Sequence, residues 1–359
     1  MNLLTAHLAR RIAAEGPIGV DAYMADALGH PEHGYYRARD PLGRKGDFIT
    51  APEVSQMFGE LIGLWCALVW TGIGRPERLR LVELGPGRGT LMADALRAAE
   101  IVEGFCPATH VHLVETSPAL VERQRRTLST VTRPIVWRER FEEVPDGALV
   151  VIANEFLDAL PIRQLQRTET GWCERLIGCD GERLGWQLSA PVASDFLPPA
   201  LSTAPPGSIV EISPARDALV HAVAGRVARE GGAALFIDYG HRASAPGDTL
   251  QAVKDHRFHP VLESPGEADI TAHVDFERVT SVACSAGARA HGPVSQGAFL
   301  RSLGIETRAL MLARTATPDE ADEVRAALGR LTSPEEMGEL FKVLAVTQSG
   351  APLPAGFGG

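Results

Sequence analysis

One stretch constrains the fold of this chain more than any other: Leu81-Val82-Glu83-Leu84-Gly85-Pro86-Gly87-Arg88-Gly89-Thr90. An apolar run ends in an acid and alternate glycines, and a helical pattern opens at Thr90. A glycine turn between a strand and a helix exposes bare backbone to a ligand, and its home is a parallel α/β sheet. Two ligands compete for the turn. A dinucleotide loop reads G-x-G-x-x-G/A, whereas the spacing here is G-x-G-x-G, with Thr90 at the third dinucleotide position. Glu83 would also repel a pyrophosphate, but it would attract the cationic methionine part of S-adenosylmethionine. The loop therefore favours S-adenosylmethionine, held through Glu83, Gly85, Gly87 and Gly89.

The surrounding pattern agrees. Apolar runs at 79–84, 111–114, 134–137, 148–153 and 233–237 read as strands, with helical stretches at about 90–100, 117–129 and 214–230 between them. Such alternation predicts βαβ units and a Rossmann-like parallel sheet. Upstream, 3–28 reads as helix broken at Gly16-Pro17, and a second helix is expected from about 52 to 72. Polar and apolar residues alternate around 164–166, 172–177 and 184–188, with turn signals between, as in an inserted β-hairpin or small antiparallel sheet. The expected organisation is an N-terminal helical and lid segment (1–74), a core (75–240) with an insertion at about 162–212, and a C-terminal part (241–359) that completes the core. That last part reads as a loop, a helix and a terminal strand at 341–347, and the Gly- and Pro-rich tail from 350 is expected to fray.

Further site candidates follow from the strand ends. Glu115 closes the second apolar run, where an acid can accept from both ribose hydroxyls; an ordinary helix-capping role competes with that reading. Phe141, beyond the third run, is placed beside the adenine. In the polar stretch 46–56, Phe48 is a stacking candidate, and Thr50 is either a cofactor contact or the cap of the helix at Pro52.

Composition narrows the partners. The 359 residues are 45% hydrophobic and 22% charged, which suits a chain that buries a core. A net charge of −10 disfavours a nucleic-acid substrate and suits a cationic one. Five scattered cysteines contain no C-x-x-C pair, so neither zinc nor thioredoxin-like chemistry is expected. No apolar run approaches the roughly 20 residues of a membrane span. The first residues lack a secretory signal, and the acids Glu15, Asp21 and Asp26 argue against a transit peptide. A cytoplasmic location is expected, or the mitochondrial matrix in a eukaryote.

Residues 30–65 (HPEHGYYRARDPLGRKGDFITAPEVSQMFGELIGLW), 81–90, 153–161 (ANEFLDALP) and 236–241 (FIDYGH) resemble the MidA family. So do 247–254 (GDTLQAVK), 268–276 (ADITAHVDF) and 341–347 (FKVLAVT), so the resemblance covers nearly the whole chain. It implies a class I S-adenosylmethionine-dependent methyltransferase. By resemblance to the eukaryotic members, the acceptor is an arginine on a respiratory complex I subunit. A second copy of the chain, in a homodimer, is the other partner considered. In methyltransferases of this kind the fourth strand's end faces the transferred methyl, which makes Asn154, Glu155 and Asp158 the acceptor-side candidates. Asn154 offers an oriented oxygen, and the acids offer charge for a guanidinium or a departing proton. Capping of the next turn by Asn154 and Asp158 is the competing reading, and Asp238, ending the fifth strand, is a further acid on the same edge. A catalytically silent assembly module that binds S-adenosylmethionine and a small-molecule methyltransferase remain the rival functions.

Overall fold

Five of the six residues in the strand before the glycine loop, β1 (Leu79–Leu84), are buried. A strand buried on both faces belongs inside a covered parallel sheet, and β1 lies in one. The computed structural model describes residues 2–38, 50–181, 183–195, 197 and 199–358. In it β1 pairs in parallel with β2 (Thr109–Val114) on one edge and β4 (Leu149–Asn154) on the other. β3 (Ile135–Arg138) extends the sheet beyond β2, and β5 (Gly232–His241) extends it beyond β4. β7 (Phe341–Thr347) lies antiparallel between β5 and β6 (Arg289–Ser295), giving the order β3-β2-β1-β4-β5-β7-β6. The direction of strand addition reverses between β1 and β4, and a ligand crevice forms outside the carboxyl ends of strands at such a switch point.

The chain divides into two units, one of residues 1–48, 158–218 and 243–275, the other of 49–157, 219–242 and 276–359. The sheet strands above belong to the second. Its core gathers Phe58, Trp65, Leu81, Ile152, Leu235 and Val343 from helices and strands alike. Helix Gln56–Gly72 joins this core because Gly59 and Gly63 present no side chains to helix Thr90–Ala99. A Cβ on Gly59 would stand 2.7 Å from Asp94 Cβ, and one on Gly63 would overlap the Ala95 carbonyl. Residues 51–72, expected with the N-terminal segment, thus pack as part of the sheet unit. The helix expected from 52 is also two: Ala51–Val54, then Gln56–Gly72, with extended Ser55 between them accepting at Oγ from Met57 N at 3.2 Å.

The first unit has its own core, where Leu4, Leu8, Tyr23 and Met24 meet Ile177 and Ile270. Helices Leu3–Glu15 and Val20–Gly29 supply one side. The insertion, expected as a hairpin or a small antiparallel sheet, is an antiparallel sheet in which Gly171–Asp180 pairs with Ile18–Gly19, Arg163–Thr168 and Arg183–Val192, and Ile209–Ile212 adds to Arg163–Thr168. A second sheet of Gln251–Lys254, Arg257–His259 and Asp269–Thr271 occupies sequence that reads as loop, because these strands are only three or four residues long and lack a clear period.

The tail does not fray as expected. Trp65 Nε1 donates to the Ala355 carbonyl at 3.1 Å, and the Phe357 ring lies 5.5 Å from that of Phe299. Glycine and proline prevent regular structure there, but they leave the aromatic ring free to dock. No described helix is long and apolar enough to cross a membrane.

Candidate active site

The glycine loop leaves β1 at its carboxyl end. Gly85 N donates to the Val114 carbonyl at 3.0 Å, and Gly89 N closes the turn onto the Pro86 carbonyl at 2.7 Å. Gly85, Gly87 and Gly89 have φ of 62°, 52° and 81°, the left-handed region in which glycine has no Cβ to clash. Gly89 caps helix Thr90–Ala99.

Glu83, the next-to-last residue of the strand before this loop, is 3% exposed. Its Oε2 meets no hydrogen-bond partner among the described residues. Burial pushes its carboxyl up to about 8, because a lone charge in an apolar site loses its hydration. A buried acid poised to ionise beside a cation fits the place expected for it.

Glu115 continues the β2–β3 ladder, its N–H donating to the Arg138 carbonyl at 2.9 Å. Its Oε1 accepts from Ser117 N at 2.8 Å and its Oε2 from Gln124 Nε2 at 3.1 Å. Gln124 Nε2 also donates to the Gly87 carbonyl at 2.8 Å, and Gln124 Oε1 accepts from Trp137 Nε1 at 2.8 Å. One buried amide therefore ties the glycine loop to the ends of β2 and β3. Gln124 escaped the sequence reading, although Leu120, Gln124 and Leu128 recur every four residues with a polar group on the buried stripe.

Asn154 is the last residue of β4, in register with Ile237, rather than the first beyond the strand. It is 8% exposed. Its Nδ2 donates to Glu155 Oε1 at 3.1 Å, and its Oδ1 has no hydrogen-bond partner among the described residues. Glu155 Oε1 also accepts from Ala51 N at 2.8 Å. Glu155 itself takes a φ of 49°, and the next two N–H groups, of Phe156 and Leu157, converge on Asp238 Oδ2 at 3.1 and 2.9 Å. Asp238 Oδ1 accepts from Tyr239 N at 3.0 Å. Asp238 is thus a brace for the turn, inaccessible to solvent, and not the substrate contact its strand-end position suggested.

Thr50 occupies the N-cap of helix Ala51–Val54, but its side chain makes no capping bond. From the same helix Glu53 reaches the glycine loop: Oε1 accepts from Thr90 Oγ1 at 2.5 Å, and Oε2 lies 3.7 Å from Arg88 Nη1. Phe141 opens a 3-10 turn, is 2% exposed, and carries the Arg226 guanidinium 5.2 Å from its ring centroid. In this position the ring is buried beneath the guanidinium. Asp158 belongs to the first unit, where its carbonyl accepts from Ala272 N at 3.0 Å. There burial, then the charges of Asp269 and Asp158, hold the Tyr36 phenol well above its ordinary value. Gly46, Asp47, Phe48 and Ile49, the core of the expected lid, lie outside the described residues.

Seven strands in this order, with β7 alone reversed, an acid-and-glycine loop on β1 and an acid after β2, define a class I S-adenosylmethionine-dependent methyltransferase. Residues 61–294 match the family model described as "Putative S-adenosyl-L-methionine-dependent methyltransferase", and the chain belongs to that family. It is 40% identical, over 95% of its length and 86% of the relative's, to "Protein arginine methyltransferase NDUFAF7, mitochondrial" of Danio rerio. The protein of the same name in Homo sapiens is 37% identical over 95% of this chain and 82% of its own. A Burkholderia thailandensis structure described as a "likely methyl transferase" bound to S-adenosyl-homocysteine superimposes with a TM-score of 0.84. It is 31% identical, with 99% of this chain and 92% of that one covered. The protein is an S-adenosylmethionine-dependent methyltransferase.

Proposed function

We propose that the acceptor is an arginine side chain of a protein, and that it is a subunit of respiratory complex I. The observation that carries the reading is Asn154 Oδ1, a buried oxygen on the carboxyl edge of β4, next to the glycine-loop strand, with no hydrogen-bond partner among the described residues. Such an oxygen suits an N–H donor, and the names of the relatives say which donor they use. The first unit, with a core of its own outside the methyl-transfer sheet, supports a macromolecular partner. In a eukaryotic cell we place it in the mitochondrial matrix, the names of the relatives calling them mitochondrial, and in a bacterium in the cytoplasm.

Glu83, the loop glycines and Glu115 would hold the cofactor, with Thr50, whose hydroxyl makes no capping bond, as a further contact. Bound, the cofactor supplies an electrophilic methyl group on a sulfonium. Asn154 accepts an N–H of the incoming guanidine and orients the nitrogen that attacks. That nitrogen sheds a proton as it gains the methyl group, and on the strength of the motif we assign the proton to Asp158.

The test is to incubate the protein with methyl-labelled S-adenosylmethionine and lysate of its own cells, then to hydrolyse the labelled protein to amino acids. Label in methylarginine of a complex I subunit supports the reading. Label confined to small molecules, or none with cofactor binding intact, would replace it with one of the rival functions.

A further inference from the structure

We infer that Glu155 is a positioning residue, not a proton acceptor: it holds the Asn154 side chain so that the amide oxygen, and not the amide nitrogen, faces the methyl acceptor. The inference rests on the proposed role of Asn154 and goes beyond it, because it says what decides the end that Asn154 presents.

A carboxylate only accepts hydrogen bonds, so the atom of Asn154 that meets Glu155 Oε1 at 3.1 Å must be the nitrogen. The oxygen is then directed elsewhere, and it is the one that lacks a partner among the described residues. Among the described residues Glu155 is the hydrogen-bond partner recorded for the Asn154 amide, and a flipped Asn154 would offer N–H groups to a nucleophile that itself bears N–H groups. Glu155 is held in turn. Its Oε1 also accepts from Ala51 N at 2.8 Å, and its φ of 49° lets the two following amides point the same way, onto Asp238 Oδ2. Consecutive N–H groups converging on an anion form a nest, and the Asp238 carboxylate fills it. The brace on β5 fixes the turn, the turn fixes Glu155, and Glu155 fixes the amide.

The same arrangement weighs against Glu155 as a base. The oxygen that reaches Asn154 already accepts two hydrogen bonds, and protonating it would set an O–H against donors.

The experiment compares E155A, E155Q, N154A and the N154A/E155A double variant. It reads single-turnover methyl transfer to the labelled acceptor protein, S-adenosylhomocysteine affinity, and hydrogen exchange of the Asn154 side-chain NH2, assigned by its loss in N154A. E155A keeps the strained φ but loses the acceptor; it should slow transfer about 10- to 100-fold, the scale of one lost charge-assisted hydrogen bond. Its S-adenosylhomocysteine affinity should hold, and its Asn154 NH2 should exchange faster. E155Q keeps an oxygen in place, so it should recover to within about threefold of the parent, with the acid limb of the pH profile unmoved. The double variant should be no slower than N154A, since Glu155 acts through Asn154.

An E155Q as slow as E155A makes Glu155 the proton acceptor and overturns the inference. So does a double variant whose loss is the product of the single losses, or an E155A whose Asn154 NH2 exchanges as in the parent. If N154A itself transfers at the parental rate, the proposed role of Asn154 falls. If N154A is slow while E155A is not, the positioning role alone falls.

Discussion

The ring of Phe156 fills the space that a side chain on Gly85 would need: a Cβ there overlaps Phe156 Cδ2 and comes within 3.2 Å of Cε2. The first glycine of the loop after β1 is therefore required by the turn after β4 as well as by its own φ of 62°. Gly85→Ala should cost about 1–3 kcal/mol through crowding and backbone strain. In a Phe156→Ala background the crowding part should disappear. Urea denaturation of the four proteins measures the coupling, and additive costs would show that the two residues do not meet.

Glu83 makes stability and cofactor binding depend on pH. Burial raises its folded carboxyl from 4.5 to about 8, so the folded state holds the proton more tightly than the unfolded one. Its contribution is fully present below about 4.5 and is lost as pH rises through about 8. Glu83→Gln abolishes that loss, so in cofactor-free protein the variant should gain on the parent in melting temperature from pH 5 to pH 9. A cationic ligand favours the ionised form, so S-adenosylmethionine should release up to about one proton near pH 7, as seen by calorimetry in buffers of different ionisation heat. A constant gap in melting temperature across that range would show that Glu83 does not titrate as described.

Gln124 joins Gly87, Glu115 and Trp137 through one amide. Gln124→Leu should destabilise the protein by about 2–4 kcal/mol, because the Trp137 N–H loses its acceptor and the glycine loop its tie. It should also weaken S-adenosylhomocysteine binding and shift Trp137 fluorescence. Glu115→Ala should weaken the same binding by about 1–3 kcal/mol, if its oxygens also reach the ribose. Titration calorimetry decides, and unchanged affinity in both variants would detach this network from the cofactor.

Asp238→Asn keeps the size of the brace and removes one of its two acceptor oxygens. Its carboxylate takes three backbone N–H groups, and an amide must turn its NH2 toward at least one of them. A loss of about 2–4 kcal/mol in thermal or urea unfolding is expected. A variant as stable as the parent would mean that the turn holds itself.

Legibility along the chain follows the range of the interactions. The glycine loop was plain because its signals are consecutive: an apolar run, an acid, alternate glycines and then a helix start. The strand before Asn154 was legible for the same reason, although it runs one residue further than its apolar pattern. Phe141 was ambiguous, because a large apolar residue after a strand looks alike whether it faces a ligand or packs, and only the structure shows the Arg226 guanidinium against its ring. The sheet at 251–271 stayed hidden since strands of three or four residues carry no period to read.

By itself, then, the sequence determined the parallel sheet, the glycine loop and the acids at the strand ends, since each is written in neighbouring residues and their periodicity. Tertiary structure alone decided how those parts serve one another. Gln124 reaches Gly87 across 37 positions, and Asp238 reaches Phe156 across 82. Both contacts exist because the sheet order brings distant strand ends to one edge, where Asn154 also meets the Glu155 carboxylate. Local propensity carries no information about such pairings. They follow from which strands become neighbours when the apolar faces are buried together.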